Sequence, residues 1–241
     1  MKHSEHASTL WAERIAAGIR AAWPICLAYF PVGIAFGVLA QKAGLSVFQT
    51  GAMSLVVFAG SSQFIGVSML SNGASLTAIA ATTFVVNLRH LLMSSSLAPY
   101  LQKTSTPFLF LFAYGITDES FAVNSMRFRS GGWDRWKALT VNLTASIAWA
   151  TSSVAGAVSG RFIPPGFLGM DYAMVAMFLG LLAFQIRGPI HLATAFLSGT
   201  VAVLLALAMP GNSHVIVASL IAATGGFALS RAVKRRSSHG A

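Results

Sequence analysis

From Ala21 to Ser230 the chain is a succession of apolar runs, each about 16 to 22 residues long and separated by short polar links. Roughly 20 apolar residues cross a bilayer as a helix. In hydrocarbon a helix is the one single-segment structure that satisfies its own backbone groups. The runs therefore predict an all-α, polytopic membrane helix bundle. Composition agrees where it bears on the point: charged residues make up 9% of the 241, against about 25% in a soluble domain. No link between runs is long enough to fold as a separate soluble domain.

About eight spans are expected, at roughly 21–40, 50–70, 76–97, 108–126, 138–159, 171–186, 191–208 and 214–230. The positive-inside rule tests that count. With the N-terminus in the cytoplasm, Lys42, Lys103 and Arg161 fall outside, Arg89 lies within a span, and the other basic residues fall inside. Both termini are then cytoplasmic. The sixth and seventh spans are short, and Arg187-Gly-Pro189 between them can instead break one re-entrant element, so six or seven segments stay open. The expected organisation is a cytoplasmic segment at 1–20, one transmembrane transport domain at 21–230 and a basic cytoplasmic tail at 231–241. Leu10, Trp11, Ile15, Ile19 and Ala22 recur at helical spacing and suggest a short interfacial helix before the first span. Lys2, Glu5, Glu13, Arg14 and Arg20 leave no apolar core for a cleavable signal peptide.

The formal charge of +10 does not read as a nucleic-acid surface. The basic residues sit in the gaps between runs and suit topology and contact with anionic membrane lipids. Trp133 and Trp136, in the basic link after residue 126, read as interfacial anchors. Cys26 is the one cysteine, so no intrachain disulfide forms, and no Cys/His metal spacing is present. No Gly-x-x-x-x-Gly-Lys-Ser/Thr loop offers a nucleotide site. Neither metal nor cofactor is expected.

Against this background Asp118 and Glu119 stand out. They are two of six acidic residues, side by side within an apolar run, where an ionisable group marks a functional site by default. Arg89 lies about 13 residues, or about 20 Å, into the third span. In an antiparallel pair of spans closing between Leu97 and Phe108, position 89 sits level with position 116. Arg89 therefore reaches Asp118 or Glu119 if the two faces meet. Neighbours on a helix point about 100° apart, so the two acids take different partners. One neutralises Arg89 and the other is left to exchange a proton; a static ion pair that fixes packing is the bland alternative, and a pair between His90 and an acid is a further option. Asn87 and Thr117 flank the charged residues.

Two breaks are expected nearby. Pro31 removes a backbone donor in the first span and suggests a kink or unwinding, with Gly33 and Gly37 beside it as either part of the break or a packing face. Gly60, Ser61, Ser62 and Gln63 together weaken the second span and offer hydrogen-bonding groups. Gly156 and Gly160 read as packing alone. Asn142 and Gln185 either line a path or tie helices together, and His191 and His214 read as interfacial.

Phe30-Pro-Val-Gly-Ile-Ala-Phe-Gly37, Phe58-Ala-Gly-Ser-Ser-Gln-Phe64, Asn87-Leu-Arg-His-Leu-Leu92 and Thr117-Asp-Glu-Ser-Phe121, in that order, resemble the AzlC-type branched-chain amino acid permeases. The resemblance runs from about residue 15 to 230 and is strongest in the first half. It implies a secondary transporter subunit of a bacterial plasma membrane that exports valine, leucine, isoleucine and methionine. It also implies coupling to protons and a small AzlD-type membrane subunit as partner. Amides freed near Gly60 or Pro31, or Arg89, would take the substrate carboxylate. Asp118 or Glu119 would take its ammonium or the proton, and Phe30, Phe64 and Met69 would wall the side chain.

Rival classes leave different marks. An intramembrane protease needs acids and histidines on facing helices, and no second acidic pair or His-Glu-x-x-His motif occurs. The chain is therefore not expected to be an enzyme. A channel would conduct without solute coupling, and a structural subunit would leave transport to its partner.

Overall fold

The computed structural model describes residues 2–162 and 188–208, and the single positions 179, 183, 186, 217, 221 and 224–226. Among them every regular element is helical. The chain divides into two compact units, Met1–Val67 with Val86–Phe167 and Ser68–Val85 with Leu168–Ala241. All the candidate site residues belong to the first.

Helix α1, Lys2–Lys42, is continuous. The separate interfacial helix expected before residue 20 is thus the first part of the span helix. Pro24 and Pro31 both lie inside it, which corrects the unwinding expected at Pro31. The missing donor removes one backbone bond, and the turns beyond it are clamped against α7, Arg135–Ser159. A Cβ on Gly33 would stand 2.9 Å from Ser152 Cβ, and one on Gly37 2.6 Å from the Ala157 nitrogen. Gly33 and Gly37 are therefore a packing face. Gly156 answers it from α7 and Gly160 from just past its end, a Cβ on Gly160 falling 3.2 Å from Val38 Cα.

α7 begins at Asp134, whose carboxylate accepts from the Trp136 and Lys137 amides at 2.8 and 3.1 Å. Gly18 meets Thr140, Tyr29 meets Trp149, and Gly37 meets Ala157. The contacts advance together along both helices, so α1 and α7 run parallel.

The second and fourth expected spans are not straight helices. Each is two short helices separated by three residues: α2, Val47–Val56, and α3, Gly60–Ser71; then α5, Thr106–Tyr114, and α6, Asp118–Ser130. The continuous helix between them is α4, Leu76–Leu97. Asn142 shows that α5 and α6 double back. Its amide donates to Phe112 O at 3.0 Å, and its carbonyl accepts from Asn124 at 3.0 Å. A straight helix would hold residues 112 and 124 about 18 Å apart. Phe108, near the start of α5, meets Trp136 edge-on at 5.0 Å, and Phe128, near the end of α6, stacks on Tyr100 at 4.8 Å. Both phenylalanines and Trp136 join one cluster with Leu97, Leu101 and Leu139. The hairpin thus starts and finishes at the end of the unit where α7 begins.

The other hairpin enters from the opposite end. Ser46 caps α2 through a box with Gln49, at 3.2 and 2.8 Å. The chain from α2 to the start of α3 runs antiparallel to α7, from Gly51 beside Val154 to Gly60 beside Trp149. α3 then turns back. Gln63 donates to Ser54 at 3.3 Å, and Phe64 meets Phe36 edge-on at 5.2 Å, on the Lys42 side of Tyr29.

This path moves one expected charge. Arg135 donates to Thr104 Oγ1 at 3.5 Å, so Lys103 sits with Arg14, Arg127, Arg129 and Lys137 at the α7 start and not with Lys42 and Arg161. Trp133 and Trp136, expected as anchors, also pack: Trp133 donates to Asn124 at 3.1 Å, and Trp136 meets Trp11 at 4.8 Å. By length and apolarity, two described helical stretches suit a membrane crossing, Leu10–Lys42 and Leu76–Leu101. In the second unit α8, Pro189–Ala208, takes the place of the expected seventh span. The sixth and eighth spans, Gln185, Arg187, His214 and the side chain of His191 lie outside the described residues.

Candidate functional site

The two hairpin tips meet beside Tyr29, which lies about 22 Å along α1 from Arg14 and about 20 Å from Lys42. Gly115 lets the second tip sit on α7, since a Cβ there would stand 2.7 Å from Asn142 Cβ. Thr117 then caps α6. Its hydroxyl accepts from Ser120 N at 3.3 Å, and its own amide donates to Ser120 Oγ at 2.9 Å. Asp118 and Glu119 consequently occupy the first turn of a helix, not the middle of one as the run of apolar residues suggested. Unsatisfied amides and the helix dipole favour acids there.

The two acids take different partners. Arg89 Nη1 lies 2.5 Å from Asp118 Oδ2, and Arg89 Nη2 donates to Ser61 Oγ at 2.6 Å. One guanidinium thereby joins the first turn of α3 to the first turn of α6. Beside it Ser62 donates to Asn87 Oδ1 at 2.5 Å. Glu119 turns the other way. Tyr29 Oη lies 2.6 Å from Glu119 Oε2 and 2.8 Å from Thr117 Oγ1. His90 follows Arg89 and is within electrostatic reach of Asp118.

Gln63 is fully buried behind the first tip. Its carbonyl accepts from Trp149 Nε1 at 2.9 Å, and Gly60 leaves room for the same indole, whose ring would lie 3.1 Å from a Cβ. The tips also touch directly: Tyr114 Oη donates to Leu55 O, and the Tyr114 and Phe58 rings lie 6.0 Å apart.

Asn87, Arg89, Ser61, Ser62, Thr117, Asp118 and Glu119 are thus brought together, with His90 at the edge and Gln63 and Gly60 behind. Pro31 and Gly33 are not part of the group. Pro31 faces outward, and so does Phe30, 53% exposed, while Phe64 packs between Phe36 and Trp149. These positions correct the pocket wall assigned to Phe30 and Phe64. Tyr29 went unrecognised in the sequence; its signal was a hydroxyl in an apolar run at the depth of the acids. Asn142 resolves as a tie between helices. Among the described residues no group of three or more His, Cys, Asp or Glu is placed to hold a metal.

Opposed helix starts, one ion pair and several hydroxyls within an apolar helical unit suit a helical membrane protein. A family model described as AzlC protein matches residues 24–163, which takes in both hairpins and all of α7. The chain belongs to the AzlC family.

An uncharacterized membrane protein of Archaeoglobus fulgidus is 33% identical over 206 residues, 84% of this chain and 90% of its own length. The inner membrane protein YgaZ of Escherichia coli is 31% identical over 163 residues, and the match spans 65% of each chain. The branched-chain amino acid transport protein AzlC of Bacillus subtilis is 28% identical over 182 residues, 73% of this chain and 69% of its own. No solved structure matches.

Proposed function

We propose that the chain is the large subunit of a proton-coupled secondary transporter that exports valine, leucine, isoleucine and methionine across a bacterial plasma membrane. Its partner is a small AzlD-type membrane subunit. The observation that carries this reading is the Arg89–Asp118 pair joining two hairpin tips. An amino acid zwitterion brings a carboxylate and an ammonium close together. The carboxylate takes Arg89 with Ser61, and the ammonium takes Asp118. Binding then exchanges one ion pair for two and brings no unmatched charge to mid-membrane. Phe58 and Tyr114 are facing rings at the tips. They allow modest discrimination, about 1–3 kcal/mol per methylene, which suits a set of similar side chains.

The topology that fits has the N-terminus in the cytoplasm, α1, α4 and α7 as crossings, and the two hairpins re-entrant from opposite faces. Secondary transporters place their sites at such broken helices. Arg14, Lys103, Arg127, Arg129, Arg135 and Lys137 all at the end where α7 begins support that orientation. The transport domain takes residues 21–230, flanked by cytoplasmic residues 1–20, which continue α1, and a cytoplasmic tail at 231–241.

The test is radiolabelled amino acid transport in proteoliposomes, with and without the small subunit, across a panel of substrates. Branched-chain amino acids and methionine should move and charged ones should not. Asp118→Asn should lower transport by at least about tenfold, as loss of an interaction made to the moving substrate does. Wild-type rates in that variant would remove the pair from the mechanism, and steady ion current without solute would make the protein a channel.

A further inference from the structure

We propose that Glu119, positioned by Tyr29, carries the coupling proton, while Asp118 and Arg89 handle the charges of the substrate. This rests on the transporter reading above and assigns roles within it. The two acids are consecutive and share one helix start, yet their surroundings differ. Asp118 is matched by the guanidinium of Arg89. Glu119 faces a neutral hydroxyl. Of the ionisable groups on these elements, Tyr29 from α1 contacts it, Asp118 shares its turn, and Arg89 and His90 from α4 lie by Asp118; Arg89 is held by Asp118 and Ser61. From α7, Trp149 packs against Tyr29 and carries no charge. A carboxylate in that position is served by a proton in one half of a cycle and by the first-turn amides and dipole of α6 in the other.

The hydroxyls around it suit both states without moving a heavy atom. With Glu119 ionised, Tyr29 donates to Oε2, and the Thr117 hydroxyl is free to donate to Tyr29. With Glu119 protonated, its O–H donates to the Tyr29 oxygen, and Tyr29 donates to Thr117 Oγ1, 2.8 Å away. The chain of three hydroxyl-type groups simply reverses its direction. The step makes one O–H bond on Glu119 and cancels one negative charge; the proton is taken from water on one side of the membrane and returned on the other. Tyr29 touches neither substrate nor bulk water in this scheme, being 9% exposed, and is a positioning residue.

The experiment compares two fluxes of labelled leucine in proteoliposomes holding the chain with its small partner: exchange against unlabelled leucine, and net transport driven by an imposed pH gradient, each from about pH 5.5 to 8.5. Exchange needs no return of an empty carrier and so no proton turnover. Glu119→Gln should keep exchange within about twofold, lose gradient-driven transport by at least about tenfold and show a flat pH profile. Asp118→Asn should lose both. Tyr29→Phe should retain net transport with a displaced pH profile, which a merely structural role would not produce. Gradient-driven transport at the wild-type rate in Glu119→Gln overturns the proposal. So does loss of exchange in a Glu119→Gln protein that elutes as a monodisperse wild-type complex. If that variant does not fold, an unchanged pH profile in Tyr29→Phe overturns it. Absence of branched-chain exchange by the wild-type protein overturns the transporter reading itself and is distinct from all of these.

Discussion

The two hairpins meet tip to tip, but they are held in unlike ways. α5 and α6 turn on Gly115 against Asn142, and α6 starts with a complete capping box and two acids in its first turn. Below the tip, Asn142, Asn124 and Trp133 form a buried chain of amide and indole hydrogen bonds over an aromatic cluster. α2 and α3 have a capping box only at the outer end of α2. α3 follows Ala59, which has no side-chain oxygen to cap it. Phe58 is held at φ 35°, a left-handed conformation that costs a side chain of this kind about 1–2 kcal/mol. One buried amide, Gln63, ties α3 to Ser54 of α2 and to Trp149. The charged tip is the braced one and the neutral tip is the strained one. Charges that must stay in register gain from a rigid support, whereas a strained tip lies nearer in free energy to an alternative conformation.

The largest expected effect tests the bracing. Asn142→Ala leaves Phe112 O without its donor and Asn124 without one acceptor, both buried. At about 1–3 kcal/mol for each unsatisfied group, thermal unfolding of the detergent-purified protein should report a loss of about 2–6 kcal/mol. Gln63→Met should lose about half as much, since it fills similar volume and Ser54 can turn to its own backbone. Equal losses in the two variants would erase the distinction between the hairpins. Next in size is Thr117→Ala. Removing the cap of α6 should lower stability by about 0.5–2 kcal/mol, and it also withdraws one partner of Tyr29. A shifted pH profile of net transport should therefore accompany the loss.

The class of fold was legible in the length of the apolar runs, and the level of Arg89 followed from rise per residue alone. The break near Gly60 was legible as well, because glycine, two hydroxyls and an amide in succession are a local signal. The doubling back of α5 and α6 was not read, although Gly115 and Thr117-Asp-Glu-Ser120 spell a helix end and a helix start. Phe108–Ile116 and Phe121–Val123 are apolar on both sides of them, and apolarity is the same in a straight span and a folded one. What decides the path is Asn142, some 30 residues on, whose two hydrogen bonds hold residues 112 and 124 together. Pro31 misled for a related reason. Its local effect is real, but the clamp at Gly33 and Gly37 comes from Ser152 and Ala157, which no local pattern reveals. Tyr29 illustrates the remaining gap: a single hydroxyl among apolar residues carries no spacing to recognise.

The smallest expected effect bears on the contact between the tips. Tyr114 sits on the last turn of α5 and donates to Leu55 O near the end of α2, a carbonyl that lacks an intrahelical partner by position. Tyr114→Phe keeps the ring contact with Phe58 and removes only this bond. Because Tyr114 is partly exposed, the loss in stability should be about 0.5–1 kcal/mol, at the low end for a hydrogen bond. If the bond holds the strained tip against the braced one, that energy is removed from the closed arrangement and not from the rearranged one. Initial rates of leucine exchange should then rise about two- to fivefold, the same energy expressed as a rate. A lowered melting temperature with an unchanged exchange rate would show that the tips are merely packed there, and that the strain at Phe58 belongs to the fold and not to the transport cycle.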